Sequence, residues 1–117
     1  MDVAKAPVQH PVFARRLAQA RLRAGLSQRQ VGVLAGLDPS VASPRINQDE
    51  RGKHEPQLRT ATRLAEVLGI PAAFLYTEDD LLAEVLLRWN DLTDRQKKDI
   101  LKQVEGAASS SMQRPRK

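Results

Sequence analysis

The sequence lacks cysteine and is poor in aromatic residues, which make up 3% of its 117 positions. The absence of cysteine excludes disulfides and thiolate metal sites and is compatible with a reducing cytoplasm. With so few aromatic rings, the core has to come from Leu, Ala and Val, which recur at three- and four-residue steps. These features predict an all-α fold, with enough length for one modest domain and an appended helical element.

Long apolar runs are missing as well. No segment approaches the ~20 apolar residues that a membrane helix needs, and the N-terminal stretch lacks a signal-peptide run. We therefore expect a soluble, cytoplasmic protein that does not interact with membranes.

Patterns typical of catalysis or metal binding are also missing from the sequence. His10 and His54 show no metal-ligand spacing, and the adjacent Asp79 and Asp80 project in different directions from a helix. The start of a helix explains these two aspartates better than paired-carboxylate chemistry does. We expect no enzymatic activity, no cofactor, no metal and no small-molecule ligand.

An excess of positive charge is present, and it belongs to the first part of the chain. The formal net charge is +5; residues 1–70 hold eleven Lys and Arg against six Asp and Glu, whereas residues 71–117 hold eight of each kind. A basic domain attracts polyanions such as nucleic acids, although solvated charged faces are common. Charge alone leaves both interpretations open.

Composition and periodicity divide the chain into four parts. Residues 1–10 and 106–117 are polar and aperiodic, and we expect a disordered N-terminal arm and a disordered basic tail. Residues 11–77 are predicted to form a five-helix domain, in which glycines at 25, 36, 52 and 69 end helices in the left-handed conformation. Residues 78–105 are predicted to form a two-helix hairpin, and a capping box of Thr93 and Gln96 starts its second helix.

Two helix starts compete within residues 38–50. Asp38 before Pro39, and Ser43 before Pro44, each combine a capping side chain with a proline suited to the first helical position. Because Pro44 would break a helix already running through it, we expect a short turn at 38–42 and the main helix from Pro44 to about Glu50.

Several motifs, in the right order, resemble one known family. They are Leu26-Ser-Gln-Arg-Gln-Val-Gly-Val-Leu-Ala-Gly-Leu37, Arg45-Ile-Asn-Gln-Asp-Glu-Arg-Gly-Lys53, Pro56 and Leu64-Ala-Glu-Val-Leu-Gly-Ile-Pro71. From about residue 12 to residue 76 the chain resembles the lambda-repressor-like, XRE-type helix-turn-helix family. The resemblance implies a lambda-repressor-like domain in a transcriptional regulator that binds double-stranded DNA.

The recognition helix of such a protein presents small or polar side chains to the major groove. Ile46 is predicted to be its inward anchor, which leaves Ser43, Arg45, Asn47 and Gln48 as the base-contacting candidates. Asn and Gln can bind adenine through two hydrogen bonds, and Arg can bind guanine in the same way. Which residue contacts which base stays open, and Arg45 could equally hold a phosphate.

The resemblance also implies phosphate contacts. Gln28 matches a phosphate-holding position at the start of a helix, where free backbone donors favour an anion. Arg51, Lys53 and His54 lie in the loop after the recognition helix, where family members commonly grip the DNA backbone. A plain solvated surface is the alternative for Gln28, Lys53 and His54.

Arg21 and Glu50 match a structural ion pair of the family, which joins the first helix to the end of the recognition helix. The chain departs from the family pattern in two places. A DPSVAS insertion lengthens the interval from Gly36 to Gly52 by about one helical turn, and Asp49 stands where the family usually has an apolar residue. Since a buried, unpaired carboxylate is costly, we expect Asp49 to be exposed, paired with a nearby Arg, or a real weakness.

The predicted hairpin carries an apolar stripe that could pack on its own domain or pair two copies. We favour a homodimer interface formed by Leu82, Val85, Leu86, Trp89 and Leu101, with core burial as the alternative for Trp89. Two copies on a palindrome, with halves about one helical turn apart, would supply the affinity that one domain lacks. The sequence thus predicts a homodimeric repressor, although activation is equally allowed. The alternative is an antitoxin or transcription cofactor that mainly binds a protein partner.

Overall fold

The computed structural model describes residues 12–112, and this range is folded into helices and their connecting turns. The elements are α1 (Val12–Ala24), α2 (Gln28–Leu34), α3 (Pro39–Glu50), α4 (Leu58–Leu68), a 3₁₀ helix (Ala72–Tyr76), α5 (Asp80–Trp89) and α6 (Asp94–Met112). The predicted all-α class, with five helices followed by two more, is confirmed. The predicted N-terminal arm, residues 1–10, lies outside the described range. Within residues 12–112, no helix is long and apolar enough to cross a membrane.

A single apolar core joins the helices of the domain. Its largest fully buried apolar side chains are Leu17, Val31, Ile46, Leu64, Phe74 and Leu75. Each side chain of this size contributes about 1.5–3 kcal/mol by leaving water. The aliphatic helix faces that the sequence pattern indicates therefore hold the domain together, with one aromatic ring among the largest members.

Local signals determine several helix ends. Ser27 caps α2 in a reciprocal box: its hydroxyl accepts from the Gln30 N–H at 3.0 Å, and the Gln30 side chain accepts from the Ser27 N–H at 2.8 Å. Thr93 and Gln96 form the same kind of box at the start of α6, as predicted. All four glycines expected to be left-handed have positive φ, and Gly36, at +100°, turns the chain from α2 into α3.

The helix α3 begins five residues earlier than predicted. The Asp38 side chain caps it by accepting from the Ser40 N–H at 2.8 Å, the next proline takes the first helical position, and Pro44 lies inside the helix. The prediction of a turn at 38–42 is therefore wrong. Pro44 deprives the Ser40 carbonyl of its helical partner, but both residues are exposed, so water can bind this carbonyl. Burial of Ala42 holds the turn before the proline in a helical conformation.

The helix α6 continues to Met112. Residues 106–112 are therefore helical, and the prediction of a disordered tail starting at residue 106 is wrong for this part. Alanines at 107 and 108 favour a helix, and no proline interrupts the sequence before Pro115. Residues 113–117 lie outside the described range.

The last two helices attach to the domain in different ways. Ala83 and Leu87, on the inner side of α5, are 0% and 5% exposed and belong to the core. In α6, no residue from 94 to 111 is buried, and only Lys97 and Ile100 are half-buried. Thus α5 is part of the body of the domain, whereas α6 is an exposed arm.

Candidate nucleic-acid interface

The helices α2 and α3 form the helix-turn-helix unit, and a glycine lets them pack closely. A Cβ atom added to Gly32 would lie 2.7 Å from the Ala42 Cβ atom, which is closer than carbon atoms normally approach. Ala42 and Ile46 are both fully buried, so Ile46 is the inward anchor that the sequence predicts. The opposite face of α3 is therefore held at the surface in one orientation.

This outer face of α3 consists mainly of small and polar side chains. Its exposed members are Ser40, Val41, Pro44, Arg45 and Gln48. Of the residues predicted to contact bases, Arg45 and Gln48 lie on this face and are exposed to solvent. A continuous, largely uncharged surface about two turns long is thus available to a groove-shaped partner.

The other two predicted base-contacting residues, Ser43 and Asn47, are half-buried at the edges of the outer face. The sequence prediction omits Ser40 and Val41, because it places them in a turn rather than in the helix. N-terminal residues of a recognition helix commonly meet base edges, so both belong to the candidate site. The signal that identifies them is Asp38 followed by proline, which is the one of the two competing helix starts that the structure uses.

A polar cluster around Glu50 fixes the C-terminal end of α3. Arg21 donates from Nε and Nη2 to the two Glu50 carboxylate oxygens at 2.6 and 3.1 Å. The side chains of Arg21 and Glu50 are only 15% and 7% exposed. Arg21 Nη1 also donates to the Leu26 carbonyl at 3.0 Å. This bidentate ion pair joins α1, the turn that follows it, and α3. Because both side chains are largely shielded from water, each charge needs the other to offset its loss of hydration.

Gln28, the predicted phosphate-holding residue, takes part in this cluster. Its Nε2 atom donates to Asn47 Oδ1 at 3.3 Å and to Glu50 Oε1 at 3.2 Å. The side chain therefore links the start of α2 to the end of α3. A phosphate at this position would have to use the free backbone N–H groups of the helix start or replace these two hydrogen bonds.

Asp49 forms a pair with His54 that the sequence does not predict. Asp49 is 2% exposed, and its Oδ1 atom lies 2.5 Å from Nδ1 of His54, whose side chain is 40% exposed. The expectations of an exposed or Arg-paired carboxylate are therefore wrong. Burial raises the pKa of Asp49, and the hydrogen bond to His54, together with the charges of His54 and Arg45, opposes this rise. His54, predicted to hold a phosphate, thus has one ring nitrogen engaged by Asp49.

The elements around the outer face carry positive charge without acidic partners. Arg29 on α2, Arg45 on α3, and Arg51 and Lys53 in the following loop are exposed. None of the four forms an ion pair within residues 12–112. Uncompensated cations beside a polar helix face favour a polyanionic partner.

Two open clefts lie on the surface of the described residues. One, of about 290 Å³, lies between α2 and the start of α3; the other, of about 280 Å³, lies between α5 and α6. Both are at the lower limit of small-molecule sites, which span about 300–1,000 Å³. Within the described range, no group of three or more His, Asp or Glu side chains could hold a metal ion.

Comparison with known proteins agrees with this geometry. Residues 12–74 match the family model of the helix-turn-helix domain, which is more than half of the chain. The chain therefore belongs to the helix-turn-helix family of DNA-binding regulators, and the XRE type is consistent with this assignment.

Among solved structures, the chain is similar to the crystal structure of the transcriptional regulator BswR. The two share 46% sequence identity and superpose with a TM-score of 0.74, over 80% of this chain and 92% of the BswR chain. Because 80% of 117 residues is about 94 residues, the similarity extends beyond the 79 residues up to Asp79. The comparison with curated proteins gives no match.

Proposed function

We propose that this protein binds double-stranded DNA sequence-specifically as a homodimer and represses transcription from a palindromic operator. The outer face of α3 is the observation that supports the proposal most strongly. It is polar, exposed and held in one orientation, as a helix that enters the major groove has to be. In this position Gln48 can bind adenine and Arg45 can bind guanine, each through two hydrogen bonds.

The other candidate base contacts lie around these two residues. Ser40 and Val41 occupy the first turn of α3, where a hydroxyl can bond to a base edge and a branched alkyl group can contact a thymine methyl. Ser43 and Asn47 flank the face. Together they provide a mixed polar and apolar surface, which is what discrimination among the four base pairs requires.

We assign the part of the DNA affinity that does not depend on base sequence to the cationic side chains around the outer face of α3. Arg51 and Lys53 follow α3, and the N-terminus of α2 at Gln28 offers free backbone N–H groups to a phosphate. His54 belongs to the same loop and can approach the DNA backbone with its second ring nitrogen. These contacts position the protein on the duplex and make binding sensitive to salt.

The homodimer is assigned to the cleft between α5 and α6. Its walls consist of aliphatic side chains and one indole, from Leu82, Val85, Leu86, Trp89, Ile100, Leu101 and Val104. Four of them, Leu82, Val85, Leu101 and Val104, are 45–57% exposed, and exposure of such area is unfavourable by about 25 cal/mol per Å². A second copy can cover the stripe with the same stripe in a two-fold arrangement, and the balanced charge of residues 71–117 adds no net repulsion.

Repression follows most simply from occupancy, because a dimer bound across a promoter excludes other proteins from it. A cytoplasmic location, where the protein meets DNA, and a binding role without catalysis are parts of the same proposal. The α5–α6 cleft also supports a second candidate function. It could receive an apolar helix of another protein, as in an antitoxin or a transcription cofactor.

Selection from a random duplex pool tests the proposal against this alternative. The full-length protein selects its sequences, the affinity for the winner is measured across a salt series, and the mass of the complex gives the number of copies bound. We expect a palindromic consensus bound by two copies, with affinity that falls steeply as salt rises. Weak, salt-sensitive binding without an enriched sequence would instead favour the protein-partner function. One copy on an asymmetric site would overturn the homodimer.

A further inference from the structure

Arg16 is a buried guanidinium at the junction between the helix-turn-helix domain and α5. It is 4% exposed, and its Nε atom donates to the Thr77 carbonyl at 2.8 Å. Its Nη2 atom donates to the Glu78 carbonyl at 3.1 Å and to Asp80 Oδ1 at 2.9 Å. The guanidinium carbon also lies 5.7 Å from the centre of the Phe74 ring. One side chain of α1 thus binds two residues of the connection between the 3₁₀ helix and α5, as well as the first residue of α5.

The rest of α5 is fixed to the domain at two further places. Ala83 and Leu87 are buried in the core. At the C-terminal end of the helix, Asn90 Nδ2 donates to the Gly69 carbonyl at 3.2 Å, and Asp91 pairs with Arg23 at 3.0 Å. The Arg23–Asp91 pair is exposed and is expected to stabilise α5 weakly. Arg16 is therefore the main polar attachment of α5.

This attachment has a consequence for DNA reading. The outer side of α5, with Leu82 and Val85, forms one wall of the cleft assigned to the homodimer. Since α5 is fixed to the domain that carries α3, the attachment determines the distance and angle between the two α3 helices of a dimer. Half-site separation on DNA has to match that distance.

We propose that Arg16 is a positioning residue that sets the half-site spacing accepted by the dimer. The inference rests on the homodimer of the proposed function. Because Arg16 is buried, it acts on DNA binding only through the orientation of α5. Lysine at this position keeps the charge and the aliphatic stem, but its single ammonium group lacks the planar fork that binds two carbonyls and a carboxylate together.

The test uses the full-length protein and the operator found by selection. Duplexes are made in which the two half-sites are moved apart or together by one and two base pairs, together with a duplex that holds one half-site. Affinities are measured for wild type, for Arg16→Lys, and for Arg15→Lys as a matched control. Arg15 is the exposed neighbour on α1 and forms no ion pair within residues 12–112. Sedimentation gives the dimerisation constant of each protein.

Wild type and Arg15→Lys are expected to prefer one spacing by about tenfold or more. Arg16→Lys is expected to lose about tenfold at that spacing, to bind the shifted duplexes almost equally well, and to keep its affinity for the single half-site. Its dimerisation constant stays within about twofold of wild type, because the cleft itself is unchanged.

Two results would overturn the inference. One is an Arg16→Lys protein with wild-type spacing preference; the other is an equal loss on the single half-site and on the full operator, which is the mark of a merely destabilised domain. Asp80→Ala removes only the exposed partner of Arg16, so it provides the same test with a smaller shift if Arg16→Lys does not fold. A wild type that selects no palindrome would refute the proposed function itself, before any variant is compared.

Discussion

In α3 the apolar stripe of Ala42 and Ile46 is fully buried and the exposed face is mainly polar. In α6 the situation is reversed: no residue from 94 to 111 is buried, and Leu101 and Val104 are more than half exposed. The two regions also differ in charge, since the excess of Lys and Arg belongs to residues 1–70. The inner face of α3 is buried, and its outer side presents mainly polar groups with cations nearby. In α6, by contrast, apolar side chains are still exposed to solvent.

This difference fits the two roles proposed above, namely DNA binding through α3 and pairing of two copies through α5 and α6. Polar groups on a rigidly held helix, with exposed cations beside it, are suited to binding DNA, because the base-pair edges in its grooves present distinct hydrogen-bonding patterns. An uncharged aliphatic stripe suits another protein surface, and in particular a copy of itself. Substitutions in α3 should therefore leave dimerisation unchanged, and substitutions in the α5–α6 stripe should leave the base preference unchanged.

The largest expected loss of folding stability is on the helix-turn-helix side. Arg21→Met leaves the Glu50 carboxylate buried with Gln28 as its remaining side-chain partner, and we expect the free energy of unfolding to fall by about 3 kcal/mol. Urea denaturation measures this loss. The matched control is Arg88→Met, which removes an exposed pair with Glu84 and should change stability by about 0.5 kcal/mol or less. Equal losses in the two variants would show that the buried pair has no special role.

The next largest effect is expected on the hairpin side, and it should leave the fold unchanged. Leu101→Glu puts a charge into the α5–α6 cleft and should weaken dimerisation by about 100-fold, equivalent to ~2.7 kcal/mol. Sedimentation equilibrium measures the dimerisation constant, and circular dichroism checks that helix content is retained. Gln103→Glu adds the same charge on the same helix outside the apolar stripe and should have little effect. A Leu101→Glu protein that dimerises normally would remove the cleft from the interface.

Two glycines sharpen the comparison further. Gly32→Ala places a methyl group against Ala42, and we expect a loss of about 1–2 kcal/mol in the free energy of unfolding despite the better helix propensity of alanine. Gly106→Ala, in α6, meets no atom within 4 Å and should gain about 0.5–1 kcal/mol. Thermal unfolding of the two variants should therefore shift in opposite directions. A gain in both would mean that α2 and α3 are not in close contact.

The last effect concerns Asp49 and depends on pH. A carboxyl whose pKa is raised by folding stabilises the native state most below its unfolded pKa, and this contribution is lost as pH rises. His54→Ala removes the side chain that opposes the rise in the pKa of Asp49. The resulting loss in the free energy of unfolding should be small near about pH 4, where Asp49 is largely protonated, and should reach about 1–2 kcal/mol near about pH 7. Unfolding free energies across this range test the prediction. The double variant His54→Ala, Asp49→Leu should recover the loss at neutral pH, and a pH-independent cost would contradict the pairing.

Much of the fold can be predicted because its signals are local. The capping boxes at Ser27 and Thr93 and the four left-handed glycines depend on residues within one turn of each other. The inward position of Ile46 follows from periodicity alone. These elements suffice for the all-α class and for the inward face of α3, but not for the residue at which α3 begins.

What the sequence does not predict depends on contacts between distant residues. Pro44 is tolerated inside α3 because Ala42 is buried against Gly32 of another helix, and this tertiary contact outweighs the local preference against proline. The pairing of Asp49 with His54 depends on how the loop folds back after α3. The burial of Arg16 depends on a connection about sixty residues away. The predicted site omits Ser40 and Val41 because the sequence prediction starts α3 too late, at Pro44. The chemistry of the two side chains is suitable for base contacts.

The most direct test of the division of labour is the base specificity of Gln48→Ala. Affinities are measured for the selected operator and for operators with each base pair of the half-site replaced symmetrically, using wild type, Gln48→Ala, Lys53→Ala and Gln103→Ala. We expect Gln48→Ala to lose about tenfold or more of the discrimination at one symmetric position and to keep it elsewhere. Lys53→Ala should weaken all sequences alike and flatten the salt slope by about one per subunit, and Gln103→Ala should match wild type. If Gln48→Ala instead retained wild-type discrimination at every position, the outer face of α3 would not be the surface that reads DNA.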